Sequence, residues 1–210
     1  MTLRIKPLCF GHFALGPSRG DLLLTRALPI VRVLPPACAG IRHRAGVFHR
    51  LHDRIAATSM SQLDIRHASV ADAARIAPLF DAYRQFYEQP ADAAAALAFI
   101  SARLERGESV ILLASVDGAP VGFCQMYPSF CSVIAAPIYV LYDLFVAPAA
   151  RQSGAGRALL RAAETHARER GCKRMDLTTA RNNATAQSLY ESLGWVRDEV
   201  FYTYTRDLAA

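Results

Sequence analysis

From Leu63 onward the apolar positions switch between a period of two and a period of about 3.6, and each switch marks an element. Leu63-Asp-Ile-Arg-His67 alternates and predicts a short strand. Ser69 or Asp72 can cap a helix to about Tyr87, where Ala73, Ile76, Ala77, Phe80 and Tyr83 or Arg84 recur at helical spacing. Pro90 suits the first turn of a second helix, which runs through Arg106 and is closed by Gly107. Val110 to Val116 reads as a strand, Asp117-Gly118 as a hairpin turn and Pro120 to Tyr127 as the returning strand. Pro128 to Pro137 reads as a loop.

The strongest signal follows. Ile138 to Val146 is an apolar, β-branched and aromatic run that predicts a buried strand, stopped by Pro148, which cannot donate to a ladder. A loop of small residues leads into a helix that opens at Ala155 and ends at Gly171. Leu159, Ala162, Ala163 and His166 share one face of it, with Arg157, Arg161 and Arg168 largely off that face. Arg174 to Ala180 predicts another strand, and Asn182 or Asn183 caps a helix closed by Gly194. Trp195 to Arg197 and Val200 to Thr205 predict one or two last strands. The order β-αα-β-β-β-α-β-α-β(β) is that of an α/β chain with a mixed sheet and helices on both faces.

Charge changes the picture only at the start of the chain. The 210 residues carry a net charge of +6, which by itself would suggest an acidic partner. Residues 1–60 hold 9 basic and 2 acidic residues, so the remaining 150 are almost neutral, at −1. Residues 1–59 are arginine-rich, carry Pro7, Pro17, Pro29, Pro35 and Pro36, and show no sustained period. Leu22-Leu-Leu24 is soon broken by Arg26 and Arg32, far short of the roughly 20 apolar residues that cross a bilayer. An apolar signal core is missing, and serine is scarce for a transit peptide. Met60-Ser-Gln-Leu reads as a natural beginning. The expectation is a basic extension or mis-assigned start over 1–59 and one domain over 60–210. The cysteines show neither Cys-x-x-Cys nor zinc spacing, and no metal is expected.

The strand–glycine–helix passage carries the chemistry. A helix N-terminus offers unpaired N–H groups and the positive end of the helix dipole. Gly154 and Gly156 clear side chains from it, and Arg151 and Arg157 add charge, which describes a phosphate site built from main chain. It is not a Walker loop, because no Lys-Ser/Thr follows, and two glycines do not make a dinucleotide fingerprint. Arg151-x-x-Gly154-x-Gly156, after Leu144-Phe-Val-x-Pro148, resembles the pyrophosphate loop of the GNAT superfamily of acyl-CoA N-acyltransferases. Asn183-x-x-Ala186-x-x-x-Tyr190-x-x-x-Gly194-Trp195 is similar to that family's second block, in the right order and at the right distance.

The resemblance implies the acyl-CoA N-acyltransferase fold and an acetyl-CoA-dependent N-acetyltransferase. It implies that the main chain of Leu144, Phe145 and Val146 holds the thioester carbonyl and pantetheine arm. It places the rest of the coenzyme on Arg151, Gln152, Ser153, Gly154, Ala155, Gly156 and Arg157, with Asn183, Ala186 and Tyr190 beside it. An alkyl amine titrates near ~10.4 and a thiol near ~8.5, so the amine must lose a proton and the thiolate gains one on leaving. By resemblance Tyr190 protonates the thiolate, although Ala186, Leu189, Tyr190 and Leu193 share a helical face that equally suits a core tyrosine. Asn183 equally suits a plain helix cap.

Asp143 is a carboxylate in an otherwise apolar strand, where burial would make it a better base. Its Asp-Leu-Phe-Val setting is similar to that in spermidine/spermine acetyltransferases, where Glu-Asp precedes the Leu/Ile. Here Tyr142 stands in place of that glutamate, so Asp143 becomes the base, directly or through water, or else a structural aspartate. Asp143 to Val146 and Leu193 to Arg197 are also similar to yeast acetyltransferases of histone tails and D-amino acids. Phe86, Tyr87, Glu88, Tyr127, Phe130 and Tyr142 are the candidates for lining the acceptor site, or else for the core. An aromatic site with few acids suits an amino acid or a small monoamine better than a polyamine. Acetylation of a protein lysine or N-terminus, or a CoA-binding module without turnover, are the alternatives. The expected setting is cytoplasmic, with no nucleic acid or membrane partner and a homodimer as the assembly allowed for.

Overall fold

The structure is a computed structural model that describes residues 62–208, so the expectation for residues 1–59 lies outside the described residues. In chain order the elements are β1 (Leu63–His67), α1 (Ala73–Phe86), α2 (Ala93–Arg106), β2 (Val110–Val116) and β3 (Ala119–Cys131). They continue with β4 (Ala136–Val146), α3 (Ala155–Glu169), β5 (Arg174–Leu177) and α4 (Ala184–Ser192). Short 3-10 turns at Val70–Asp72 and Pro148–Ala150 lead into α1 and toward α3. The sheet order is β1-β2-β3-β4-β5, antiparallel except for the parallel pair β4–β5. This is the mixed α/β architecture expected.

The sheet is covered on both faces, which is why β2 reads as an apolar run from Val110 to Ala114. Leu112 and Ala114 face Leu159, Leu160 and Ala163 of α3, together with Cys124 and Met126 of β3. Ile111 and Leu113 point the other way and pack with Ile76 and Phe80 of α1, Ala96 and Ile100 of α2, and Phe123. The Asp117-Gly118 turn forms as expected, both residues taking positive φ (49° and 80°).

Several expected boundaries move. Helix α2 begins at Ala93, not Pro90, because the Asp92 carboxylate caps it by accepting from the Ala95 N–H at 2.8 Å. The loop expected over Pro128–Pro137 is instead the outer part of a long hairpin, with Pro128 opposite Tyr139 and Pro137 opposite Phe130. Proline is tolerated there because β3 runs past the end of β2, whose last pair is Val110 with Met126, so no neighbour asks Pro128 for an N–H. Strand β5 stops at Leu177 rather than Ala180.

The last strands expected at 195–205 are not formed. Asp198 Oδ1 accepts from the N–H groups of Val200 and Phe201 at 2.7 and 3.0 Å, an aspartate turn that takes donors a ladder would need. Tyr202 and Tyr204 beyond it are exposed.

Candidate active site

The site is organised by what happens to β4 near its middle. Gln125 of β3 pairs with Asp143, but the next residue, Met126, pairs with Leu141, so Tyr142 is an extra residue in β4. Such a bulge reverses the alternation of side chains beyond it. Tyr139 and Leu141 lie in the core beneath α3, whereas Phe145 lies in the core beneath α1 and α2. Asp143 falls on the α1–α2 side, beside Phe80 and Phe99.

The same point ends the pairing with β5. The parallel register covers Ile138–Leu141 against Arg174–Leu177, while β4 continues to Val146. Beyond Leu141 the β5-facing edge of β4 is therefore open to a ligand that can hydrogen-bond like a strand. On its other edge β3 approaches closely at Gly122, where a Cβ would stand 2.6 Å from the Phe145 carbonyl oxygen.

The open edge leads into the loop before α3. Arg151, Gln152, Ser153 and Gly154 are exposed, Ala155 is buried, and Gly156 and Arg157 are half-buried. Gly154 is the N-cap of α3 with φ +86°, and a Cβ on it would meet nothing within 4 Å. The N-terminus of a 15-residue helix thus faces open space across a glycine, a cradle that fits a phosphate group. Arg157 instead donates from Nη2 to Ser192 Oγ at 2.8 Å, tying the first turn of α3 to the end of α4.

Asp143 is 8% exposed and is held from two directions. Gln125 Nε2 donates to its Oδ2 at 2.6 Å. The Tyr83 hydroxyl of α1 donates to the Tyr142 main-chain oxygen at 3.2 Å and stands near enough to the Asp143 carboxylate to favour its charged form. Burial raises the Asp143 pKa, and the bond from Gln125 and the nearby Tyr83 hydroxyl oppose that rise. Above the carboxylate a cleft of about 320 Å³ is lined by Phe80, Phe99, Tyr127 and Tyr142. Phe80 and Phe99 stack at 5.2 Å, and Tyr127 meets Tyr142 edge to face at 5.5 Å. One carboxylate among aromatic faces is a setting for a single organic cation.

Tyr190 approaches from α4. Asn183 caps this helix, accepting from the Ala186 N–H at 3.3 Å and donating to Thr179 Oγ1 at 3.3 Å. The Tyr190 ring packs on the α3-side core and lies 6.1 Å from the Trp195 ring. Its pKa is pushed up to about 12, first by burial and then by Tyr87 and Cys124. Burial, then Asp143, also raises the Tyr83 pKa, with smaller effects from Tyr87 and Tyr190. The Tyr83 hydroxyl is therefore within electrostatic reach of both Asp143 and Tyr190.

Of the residues anticipated around the acceptor, Tyr127 and Tyr142 line the cleft. Phe86, Tyr87 and Phe130 are exposed, and Glu88 takes a positive φ (62°) in the turn after α1. Tyr87 instead stacks edge to face on Tyr83 at 5.1 Å. Phe99, Tyr83, Gln125 and Ser109 belong to the surroundings of Asp143 but were not anticipated. Gln125 had a readable signal, a polar residue amid the apolar run Val121–Met126, which is the signal Asp143 carries.

The model of the Acetyltransferase (GNAT) family matches residues 76–195. The uncharacterized N-acetyltransferase YhfO of Bacillus subtilis (strain 168) is 49% identical over 148 residues, covering 70% of this chain and 99% of YhfO. An aminoglycoside N(6')-acetyltransferase type 1 of Klebsiella aerogenes is 31% identical over 101 residues, 46% of this chain and 65% of that protein. The crystal structure of a probable acetyltransferase superposes with a TM-score of 0.66 at 38% identity, over 70% of this chain and 99% of its own. The chain belongs to the GNAT family of acetyltransferases. It is an acetyl-CoA-dependent N-acetyltransferase. Among the described residues no helix is long and apolar enough to cross a membrane.

Proposed function

We propose that the protein transfers the acetyl group of acetyl-CoA to the primary amine of a small molecule, an amino acid or monoamine, by direct attack in a ternary complex. The observation that carries this reading is the position of Asp143, buried at the base of an aromatic cleft where β4 parts from β5. The cleft is small and holds one carboxylate, which matches a single ammonium on an apolar body better than a chain of several charges. The likeness to an aminoglycoside N(6')-acetyltransferase supports a small-molecule amine as the acceptor.

Acetyl-CoA supplies an acyl group activated as a thioester. The main chain of Leu144, Phe145 and Val146 receives its arm along the open edge of β4. The loop from Arg151 to Gly156 takes the pyrophosphate on the α3 N-terminus, with Ala155 closing the loop beneath and Asn183 and Ala186 setting the start of α4 beside it. Arg157, already held by Ser192, serves this site by fixing α4 to α3. Asp143 accepts a proton from the bound ammonium, freeing the lone pair that forms the N–C bond. Tyr190, protonated at neutral pH, gives a proton to the sulfur as the C–S bond breaks and regains one from the newly bonded nitrogen.

The test is thiol release from acetyl-CoA by the full chain with 2-phenylethylamine, phenylalanine and spermidine as acceptors, beside calorimetric binding of acetyl-CoA to wild type and Gly154→Glu. Release with 2-phenylethylamine or phenylalanine, and loss of acetyl-CoA binding in the variant, is the expected result. Intact acetyl-CoA binding with no release from any amine would point to a coenzyme-binding module without turnover. A marked preference for spermidine would overturn the substrate class.

A further inference from the structure

Beneath the cleft, Ser109 and residues of β3 and β4 form one chain of buried hydrogen bonds. Ser109, immediately before β2, donates from Oγ to Oε1 of Gln125 at 2.9 Å, and Gln125 donates from Nε2 to Oδ2 of Asp143 at 2.6 Å. Gln125 is fully buried and Ser109 is 8% exposed. Gln125 occupies the middle of β3, opposite Ile111 on one side and Asp143 on the other. Its main chain is thus fixed on both sides, and its side chain is fully buried.

The direction of this chain matters. A carboxamide offers a donor at one end and an acceptor at the other, and the Ser109 hydroxyl, which can give a proton or take one, here gives its proton to Oε1. With that proton on Oε1, the amide must turn its NH2 to Asp143, the arrangement an ionised carboxylate requires. Were the amide reversed, its oxygen would face the carboxylate, and Asp143 would have to carry a proton to avoid repulsion. Burial alone drives Asp143 toward that protonated form, which cannot accept a proton from an amine. Tyr83 offers less help, because its single proton points to the Tyr142 carbonyl.

We propose that Gln125, supported from behind by Ser109, is a positioning residue for acetyl transfer, holding Asp143 as an ionised proton acceptor beneath the aromatic cleft. This rests on the reading of Asp143 as the group that takes the amine's proton.

The test is a carbon-13 NMR titration of the full chain labelled at the aspartate carboxyls, with the Asp143 signal identified by its absence in Asp143→Asn. Removing a charge-assisted donor in Gln125→Leu should raise the proton affinity of Asp143 by roughly tenfold to a hundredfold, moving its titration up by one to two pH units. Ser109→Ala, which leaves the strand core intact, should move it the same way by less. The acid limb of kcat/KM for 2-phenylethylamine should follow, while KM stays near its wild-type value. The double variant Gln125→Glu, Asp143→Asn exchanges donor and acceptor. It should recover stability lost in Gln125→Glu without recovering activity, which separates filling the core from serving the reaction. An Asp143 titration unmoved in both Gln125→Leu and Ser109→Ala overturns the proposal. Wild-type kcat/KM in Asp143→Asn would instead remove the reading of Asp143 as base, and the positioning role with it, whatever the titration shows.

Discussion

Trp195, just beyond α4, donates its indole N–H to Oε1 of Glu164 on α3 at 2.9 Å. Glu164 also pairs with Arg168 through its other oxygen at 3.0 Å, and the Trp195 amide N–H returns to the Tyr190 carbonyl at 3.1 Å. One side chain thus anchors the end of the helix that carries Tyr190. Trp195→Phe keeps most of the packing and loses this bond. We expect a cost of about 1 kcal/mol, read as a fall in Tm of about 2–4 °C. An unchanged Tm would mean that α4 is held by packing alone.

Gly154 and Gly156 look alike in the sequence but answer to different constraints. Gly154 has φ +86° with open space around it, so alanine there meets backbone strain and no clash. A Cβ on Gly156 would touch Leu189 and Val146 at 3.5 and 3.8 Å, ordinary contact. Gly154→Ala should lose about 1 kcal/mol in urea unfolding of the ligand-free protein. Gly156→Ala should lose nothing measurable. Equal losses would contradict the distinction.

Asp72 shows what a buried carboxylate does when it is fully paired. It accepts from both terminal nitrogens of Arg66 and from the N–H and hydroxyl of Ser69, and these bonds hold its pKa well below the usual carboxylate range. With a folded pKa below the unfolded one, its stabilisation is present above roughly pH 4 and drains away as pH falls. Asp72→Asn should therefore destabilise by about 1–3 kcal/mol at pH 7, with the gap from wild type closing below about pH 4. Urea melts at several pH values measure this, and a gap independent of pH would be the contrary result.

Asp143 behaves in the opposite sense. Its folded pKa is raised, so its ionised form costs stability once pH rises above the unfolded value near ~3.9. Asp143→Asn should be at least as stable as wild type at pH 7, while kcat/KM falls by roughly 10²-fold or more. The wild-type acid limb should lie above the usual carboxylate range and vanish in the variant. A variant that loses stability and activity together at pH 7 would mark Asp143 as a structural residue.

Much of this arrangement was legible in the residues themselves. Alternation and capping placed β1, β2, α1 and α3, and Gly107 and Asn183 end and begin helices as their chemistry demands. What was hidden depends on partners in other elements. Pro128 and Pro137 read as loop because a proline's cost in a strand turns on whether a neighbour needs its N–H. Val200 to Thr205 has the composition of a strand, yet Asp198 captures two of its donors first. The cleft combines Phe99 of α2 with Tyr127 and Tyr142 of two strands, and no local spacing connects them.

Tyr142 is exposed, and its ring forms one wall of the cleft, but its larger effect comes from being counted. One supernumerary residue in β4 decides which face of the sheet every later side chain joins. Were Tyr142 instead paired as an ordinary strand residue, Asp143 would turn into the apolar layer under α3 and Leu144 would swing into its place below the cleft. What sets the carboxylate beneath the cleft is thus one pairing left out of the ladder, which no single residue of the strand records.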